Sequence, residues 1–403
     1  MPSVLLVPDL PLERWASMDK YAHRLHDWLE SSDFGFQVRL AAHIGSLTRD
    51  SVGRRGSAAE QRGDRRKAFV SWWTQPVDPS RLVLPRPLHR PQQWAARYYL
   101  YPWRVKREAK RVELVHVLDH SYAHMIEAAG RCPVVVTVHD LMPVVVLRSP
   151  TSGGGWREGV RNRFLRQALK ALRQADSYIV GTQWLKGELA TWLGDDKNIH
   201  VVPFGVDRAF YGESTVARER GRHDWRLPEE AFVILHVGST VDRKNVPLVI
   251  QTLARLRQQT DAYLLQVGGR FTAEQEHLME RLGLRNAVRS VASADETALR
   301  RAYRAADVLL FPSLYEGFGF PVLEAFASGL PVVTSGAGGL KEVAGGAAVV
   351  VEGRDPADYV HALERLDDSE EREELVQMGW ARARQFTWQK TAALTAEVYK
   401  PLF

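Results

Sequence analysis

The chain has 403 residues, 45% hydrophobic and 25% charged, which suits a water-soluble globular protein and allows two or three domains. One cysteine, Cys132, excludes a disulfide framework and any multi-cysteine metal site, and fits a reducing cytoplasm. The net charge of +6 is unevenly spread: residues 49–111 carry 16 Lys and Arg against 5 Asp and Glu, and the remainder is net negative.

The opening MPSVLLVPDLPLERW meets acid and proline after a few apolar residues, as a first strand does and a signal peptide does not. No run approaches the roughly 18 apolar residues of a membrane span. Apolar runs predict strands at Val4–Val7 and Phe36–Ala41, with a helix over Met18–Leu29 between them. After the basic stretch come predicted strands at Leu114–Leu118, Val134–Val138, Tyr178–Val180 and Ile199–Val202, with helices at Trp156–Leu172 and Trp184–Leu193. The second half repeats the pattern, with strands at Phe232–Val237, Tyr263–Val267, Val288–Val291, Val308–Phe311, Pro331–Thr334 and Ala347–Val351.

Uniformly apolar strands alternating with helices imply parallel sheets covered on both faces. The turn-rich stretch Pro203–Leu227 divides them, giving an α/β protein of two facing, doubly wound, Rossmann-like domains, 1–205 and 206–385. Ligands of such sheets bind beyond the carboxyl ends of the strands, so the loops there are the places to seek chemistry.

The most informative loop is FPSLYEGFGFPVLEAFASG (Phe311–Gly329). Gly317 and Gly319 permit a backbone path close to a ligand, Pro321 suits a first helical turn, and the new helix offers an anion site. Glu316 and Glu324 beside that site would repel phosphate, so they suit neutral sugar or ribose hydroxyls. The competing reading is a glycine-rich turn with two solvated glutamates. In the loop GSTVDRKN (Gly238–Asn245), Arg243 and Lys244 suit a diphosphate. An ordinary solvated basic pair is the alternative.

Glu316 and Glu324, seven residues apart within PSLYEGFGFPVLEAFASGLPVVTS, resemble the donor-site signature of glycosyltransferase family 4, whose members are retaining enzymes of the GT-B fold. HVGSTVDRKN, VVPFGVD (Val201–Asp207) and TVHDL (Thr137–Leu141) resemble its basic loop, interdomain turn and His-Asp motif. FTWQKTAALTAEVY (Phe386–Tyr399) resembles the helix that returns to the first domain, so 386–403 would belong there. The resemblance implies that Glu324 holds ribose hydroxyls, Glu316 the donor sugar, and Arg243 and Lys244 the departing diphosphate. It places amides at Phe318, Gly319 and Phe320 near the sugar, amides at Val322 and Leu323 near the phosphates, the base near Val291 and Ala292, and His139 against the sugar. Two features depart from the family: Ser239 follows Gly238 where many members have Arg, and the first loop, PDLPLERWASMDKYA (Pro8–Ala22), lacks a Gly-Gly pair. Ser17 and Met18 are candidates for the backbone approach that the pair would supply, with an N-cap at Ser17 as the alternative.

LDHSYAH (Leu118–His124) places Asp119, His120 and Ser121 just past a predicted strand, as hydroxyl contacts for acceptor or donor or as capping and packing groups. A metal pair of His120 and His124 has no convincing third ligand. His116, inside the strand, reads as structural. Within 68–111, cations interleave with Trp72, Trp73, Trp94, Tyr98, Tyr99, Tyr101 and Trp103. That pattern suits an anionic membrane surface or lipid-linked acceptor, or equally an acceptor wall; nucleic acid lacks any accompanying signature. Gly153–Gly155 reads as a lid or a linker. The combined expectation is a cytoplasmic hexosyltransferase, possible on the inner membrane face. It would use a UDP-, GDP- or ADP-sugar as co-substrate, a glycan or lipid-linked acceptor, no cofactor and no metal, since no Asp-x-Asp occurs. The rivals are a nucleotide-sugar 2-epimerase-like enzyme and a non-catalytic nucleotide- or glycan-binding module.

Overall fold

A parallel strand covered on both faces has no solvent side for polar groups, which is why the apolar runs become its central strands. The computed structural model of the chain describes residues 1–10, 16–41, 95–148, 156–196, 198–212 and 215–403. Its first six strands are β1 (Ser3–Val7), β2 (Gln37–Leu40), β3 (Leu114–Val117), β4 (Val134–Val138), β5 (Ser177–Val180) and β6 (Ile199–Val201). The next six are β7 (Phe232–Val237), β8 (Ala262–Val267), β9 (Val288–Val291), β10 (Val308–Phe311), β11 (Val332–Thr334) and β12 (Val349–Val350). They form two six-stranded sheets, ordered β2-β1-β3-β4-β5-β6 and β12-β11-β10-β7-β8-β9.

Strand β1 pairs in parallel with β2 and β3, and β3 with β4. All five pairings of the second sheet are parallel too. Every residue of β1, β3, β4 and β5 is buried, whereas edge strand β2 exposes Gln37 and Arg39. The two sheets are wound differently. Counted within itself, the second has the Rossmann order 3-2-1-4-5-6, and the first begins 2-1-3-4-5, as in flavodoxin-like sheets. The chain reverses between β1 and β3 in one and between β7 and β10 in the other, and both reversals open a crevice for ligand.

Contacts divide the chain into a first unit, Met1–Val138, Met142–Ile179 and Thr395–Phe403, and a second, His139–Leu141 with Val180–Leu394. The C-terminal helix Trp388–Tyr399 thus ends in the first unit. There the Tyr399 hydroxyl lies 2.6 Å from His116 Nδ1, and its ring meets Phe36 edge-on at 5.6 Å. His116 is fully buried, with Nε2 2.8 Å from the Thr137 hydroxyl, which in turn lies 3.1 Å from that of Tyr21. Its place is structural.

The turn-rich stretch Pro203–Leu227 is not irregular throughout: it contains a helix, Thr215–Asp224. Arg222 in that helix is buried and donates to Asp307 Oδ2 at 2.8 Å and to the Ala305 carbonyl at 3.2 Å. Asp307 also accepts from the Val233 amide at 2.7 Å, which fixes the helix to the start of β7. A buried arginine needs such complete pairing, and a boundary reading based on turn residues misses it. No helix among the described residues is long and apolar enough to cross a membrane.

Candidate active site

The second unit builds its site from the two loops at its strand reversal. After β7 the chain makes a short turn of 3-10 helix, Asp242–Lys244, and then Asn245 adopts a left-handed conformation (φ 54°) before the helix Val246–Leu256. After β10 the loop runs to Gly319, at φ 105°, where the helix Phe320–Ala327 starts with proline in its first turn. A backbone bond from the Leu314 amide to the Arg243 carbonyl, 2.7 Å, ties the loops together.

That tie brings three predicted residues into contact. Glu316 Oε1 accepts from Arg243 Nη1 at 3.0 Å and from Lys244 Nζ in a very short bond. Arg243 Nη1 also reaches the Tyr315 carbonyl at 3.4 Å, and Lys244 Nζ stands 4.6 Å from the centre of the Phe311 ring. Lys244 and Glu316 are buried, so neither is a solvated surface charge. Burial pushes the Lys244 ammonium below the usual lysine range, and the Glu316 charge opposes that shift. Two cations share one carboxylate oxygen at the crest of a sheet, a charge excess suited to an incoming anion.

Around this cluster the backbone is close-packed. A β-carbon on Gly317 would collide with the His139 carbonyl, so glycine is required there. Thr182 donates to the Gly317 carbonyl at 2.8 Å, and the Glu316 carbonyl accepts from the Gly339 amide at 2.8 Å. The Tyr315 hydroxyl accepts from the Leu141 amide at 3.1 Å, and burial raises that phenol to about 12. The His139 ring lies 5.2 Å from that of Phe204, which packs on Phe318 and Phe320.

Glu324 is buried in the helix Phe320–Ala327, where Oε2 accepts from the Tyr303 hydroxyl at 2.9 Å. The side chains of Phe318, Val322 and Leu323 are buried, which leaves only their backbone for a ligand. The Val322 amide, expected near phosphate, instead donates to the Gly319 carbonyl at 3.1 Å, because the helix closes its first turn on Gly319. Ser239 sits beside Gly238 in the β7 loop, and Val291 ends β9, its carbonyl accepting from the Gly268 amide at 2.9 Å, with Ala292 exposed next to it.

Sequence reading missed a supporting layer. His236 and Gln266 face each other in register across β7 and β8. Gln266 Nε2 donates to the Gly238 carbonyl at 2.9 Å, so its Oε1 is left to accept from His236 Nδ1 at 2.6 Å. Burial pushes His236 down to about 4. Gly268 and Gly269 have positive φ and press on the backbone of Gly238–Thr240. The available signal was a polar residue near the carboxyl end of each of two otherwise apolar strands.

In the first unit the predicted crest residues are largely used internally. Asp119 caps the 3-10 turn His120–Met125 by accepting from the Ser121 amide at 2.5 Å. Ser121 accepts from Arg97 Nη2 through its carbonyl (2.6 Å) and its hydroxyl (3.2 Å). His124 Nε2 lies 3.2 Å from the Arg97 carbonyl, and burial lowers this imidazole to about 4. His120 is buried, with Nδ1 3.5 Å from Asp119 Oδ1. Ser17 lies one residue inside the helix Ala16–Ser31, so an N-cap is not its place; its side chain is outside the described residues. Trp72, Trp73, Trp94 and Gly153–Gly155 also lie outside them. No group of three or more His, Cys, Asp and Glu among the described residues is placed to hold a metal.

Comparison with known proteins decides the family. The profile of "Glycosyltransferase Family 4" matches residues 21–210, and that of "Glycosyl transferases group 1" matches 217–381. A D-inositol 3-phosphate glycosyltransferase of Salinispora arenicola is 31% identical over 321 residues, covering 73% of this chain and 71% of that protein.

The chain belongs to glycosyltransferase family 4.

A Corynebacterium kroppenstedtii protein of the same name is 32% identical over 304 residues, 70% of this chain and 66% of its own length, so the chain aligns with about two thirds of these relatives. Among solved structures, sucrose-phosphate synthase from Thermosynechococcus elongatus superposes with a TM-score of 0.70 at 21% identity, covering 100% of this chain and 99% of its own. Anabaena HepE, solved with UDP and glucose, gives 0.68 at 18% identity over 99% and 100%. These likenesses show the GT-B fold, and the family 4 chain described here is a glycosyltransferase of that type.

Proposed function

We propose that the chain transfers a hexosyl group from a nucleoside diphosphate sugar to a hydroxyl of a glycan or lipid-linked acceptor, with retention at the anomeric carbon and without a metal ion. The observation that carries this reading is the contact of Arg243 and Lys244 with Glu316 at the strand reversal. Breaking the anomeric C–O bond leaves negative charge on the diphosphate and positive charge on the sugar. Fixed cations at the first, and a carboxylate beside the second, stabilise the transition state more than the ground state. Glu324, held by Tyr303, is suited to the ribose hydroxyls. Arg243 and Lys244 supply the positive charge that a bound divalent ion supplies to other transferases.

Retention follows if the acceptor hydroxyl attacks from the face the diphosphate leaves, giving its proton to the departing phosphate oxygen. D-inositol 3-phosphate is the first acceptor to try, since the family 4 relatives are named for it.

The test is turnover of UDP-, GDP- and ADP-sugars with EDTA present, in the wild-type chain and in Lys244→Ala and Glu316→Gln. The expected result is EDTA-resistant transfer that falls roughly 100- to 1,000-fold in each variant, the cost of losing one such contact. Epimerised donor without transfer, or abolition by EDTA, would overturn the reading.

A further inference from the structure

One surface of the first unit has no part in the site described above. A turn of π-helix, Ala96–Leu100, runs into the helix Tyr101–Ala109. The inner face of that helix is Tyr101, Val105 and Ala109, buried and spaced by four. Its outer face follows the complementary spacing: Tyr99, Trp103, Lys106, Arg107 and Lys110 are all exposed, with Leu100 beside them. Tyr99 is 75% exposed and Trp103 63%, and they are the only exposed Tyr and Trp among the described residues.

The charge on this face is of one sign. Residues 95–111 contain six Lys and Arg and a single acid, Glu108. The Glu108 carboxylate accepts from Arg104 Nε at 2.7 Å, so it neutralises a cation on the flank and not one on the outer face. Two of the six cations are turned to internal work: Arg104 in that pair, and Arg97 on Ser121 with its guanidinium 4.1 Å from the centre of the Tyr122 ring. Lys106, Arg107, Lys110 and Arg111 remain exposed around Trp103.

We propose that this outer face docks on an anionic lipid bilayer, with the helix lying along the surface. Trp and Tyr rings prefer the headgroup region, where one edge is apolar and the other wet. Lysines and arginines beside them are drawn to the negative surface potential, each worth roughly fivefold in affinity. The surface is the convex side of one helix, which fits a plane. Single-stranded nucleic acid is bound in a charged groove that tracks its backbone, whereas the described residues of this face are one side of a single helix. The proposal does not depend on which sugar is transferred.

Co-sedimentation with vesicles tests it, comparing phosphatidylcholine alone with phosphatidylcholine containing about one third phosphatidylglycerol. The wild-type chain is expected to bind the anionic vesicles, to release them in high salt, and to leave the neutral ones unbound. Lys106→Glu with Arg107→Glu should weaken binding roughly 25-fold or more, two cations at fivefold each, and Tyr99→Ser with Trp103→Ser should weaken it severalfold. All four side chains are exposed, so melting temperature and donor turnover should match wild type. Absence of binding to the anionic vesicles, binding unchanged in both double variants, or tighter binding to a single-stranded RNA oligonucleotide than to the vesicles would each overturn the proposal.

Discussion

The two sheets carry crests of the same kind, two loops at a reversal of strand order, and equip them differently. In the second unit the loops meet through charge: two cations on Glu316, with a buried tyrosine on Glu324. In the first, Asp119 caps a turn, and Ser121 and His124 are tied to the Arg97 segment. The cations of the second crest converge on Glu316, whereas Lys106, Arg107, Lys110 and Arg111 of the first unit stand exposed on and just after the helix that carries Trp103. A crest that stabilises developing charge must hold unneutralised charge in low dielectric. A crest that is only a wall needs its polar groups satisfied.

This contrast can be broken by substitution. The largest effect belongs to Lys244→Met, which should lower turnover roughly 100- to 1,000-fold. A loss of similar size in Ser121→Ala, measured in the same assay, would erase the distinction between the crests.

Next comes acid sensitivity in both units. Folded His236 and His124 stay neutral down to about pH 4, whereas an unfolded histidine takes up its proton near 6.5. Between those values the unfolded chain holds more protons, so stability falls as pH drops through that window. For a fully buried group such as His236 the total reaches about 3 kcal/mol. Thermal melts from neutral to about pH 4.5 should show the decline, and a shallower slope in His236→Gln would assign its share.

Gly317→Ala should destabilise the second unit by about 1–3 kcal/mol, because the added carbon meets a carbonyl and not a flexible side chain. A melting temperature equal to wild type would mean that the loop yields freely.

A smaller change is expected from Tyr303→Phe. Removing a bond to a buried carboxylate should raise KM for the donor roughly tenfold with kcat nearly unchanged. An equal fall in kcat alone would place Glu324 in the chemistry instead of in binding. Ser121→Ala should have the smallest effect, within about 0.5 kcal/mol on stability.

The alternation of strands and helices, the parallel sheets and the Glu-x₇-Glu loop were legible from local pattern, since burial on both faces writes itself into apolar runs and helix starts into glycine and proline. The helix within Pro203–Leu227 was not, because its anchor, Arg222 on Asp307, joins residues 85 apart. His236 and Gln266 were not singled out, because each is one polar residue in an apolar strand and only the register sets them opposite each other across β7 and β8. The first helix begins at Ala16, two residues before the start that an N-cap at Ser17 implies, as helix ends are weakly coded.

Length and composition by themselves allowed two or three domains, charge counting marked the basic segment, and the alternation of apolar runs with helices implied the α/β class. The uneven charge named a region and not a surface. Only the tertiary structure decided which cations are shared with a buried carboxylate, which are paired on the flank of a helix, and which stand exposed around an aromatic ring. The reason is physical. A side chain's charge is a property of its sequence position, but its effective strength depends on burial and on partners that only long-range packing brings within reach.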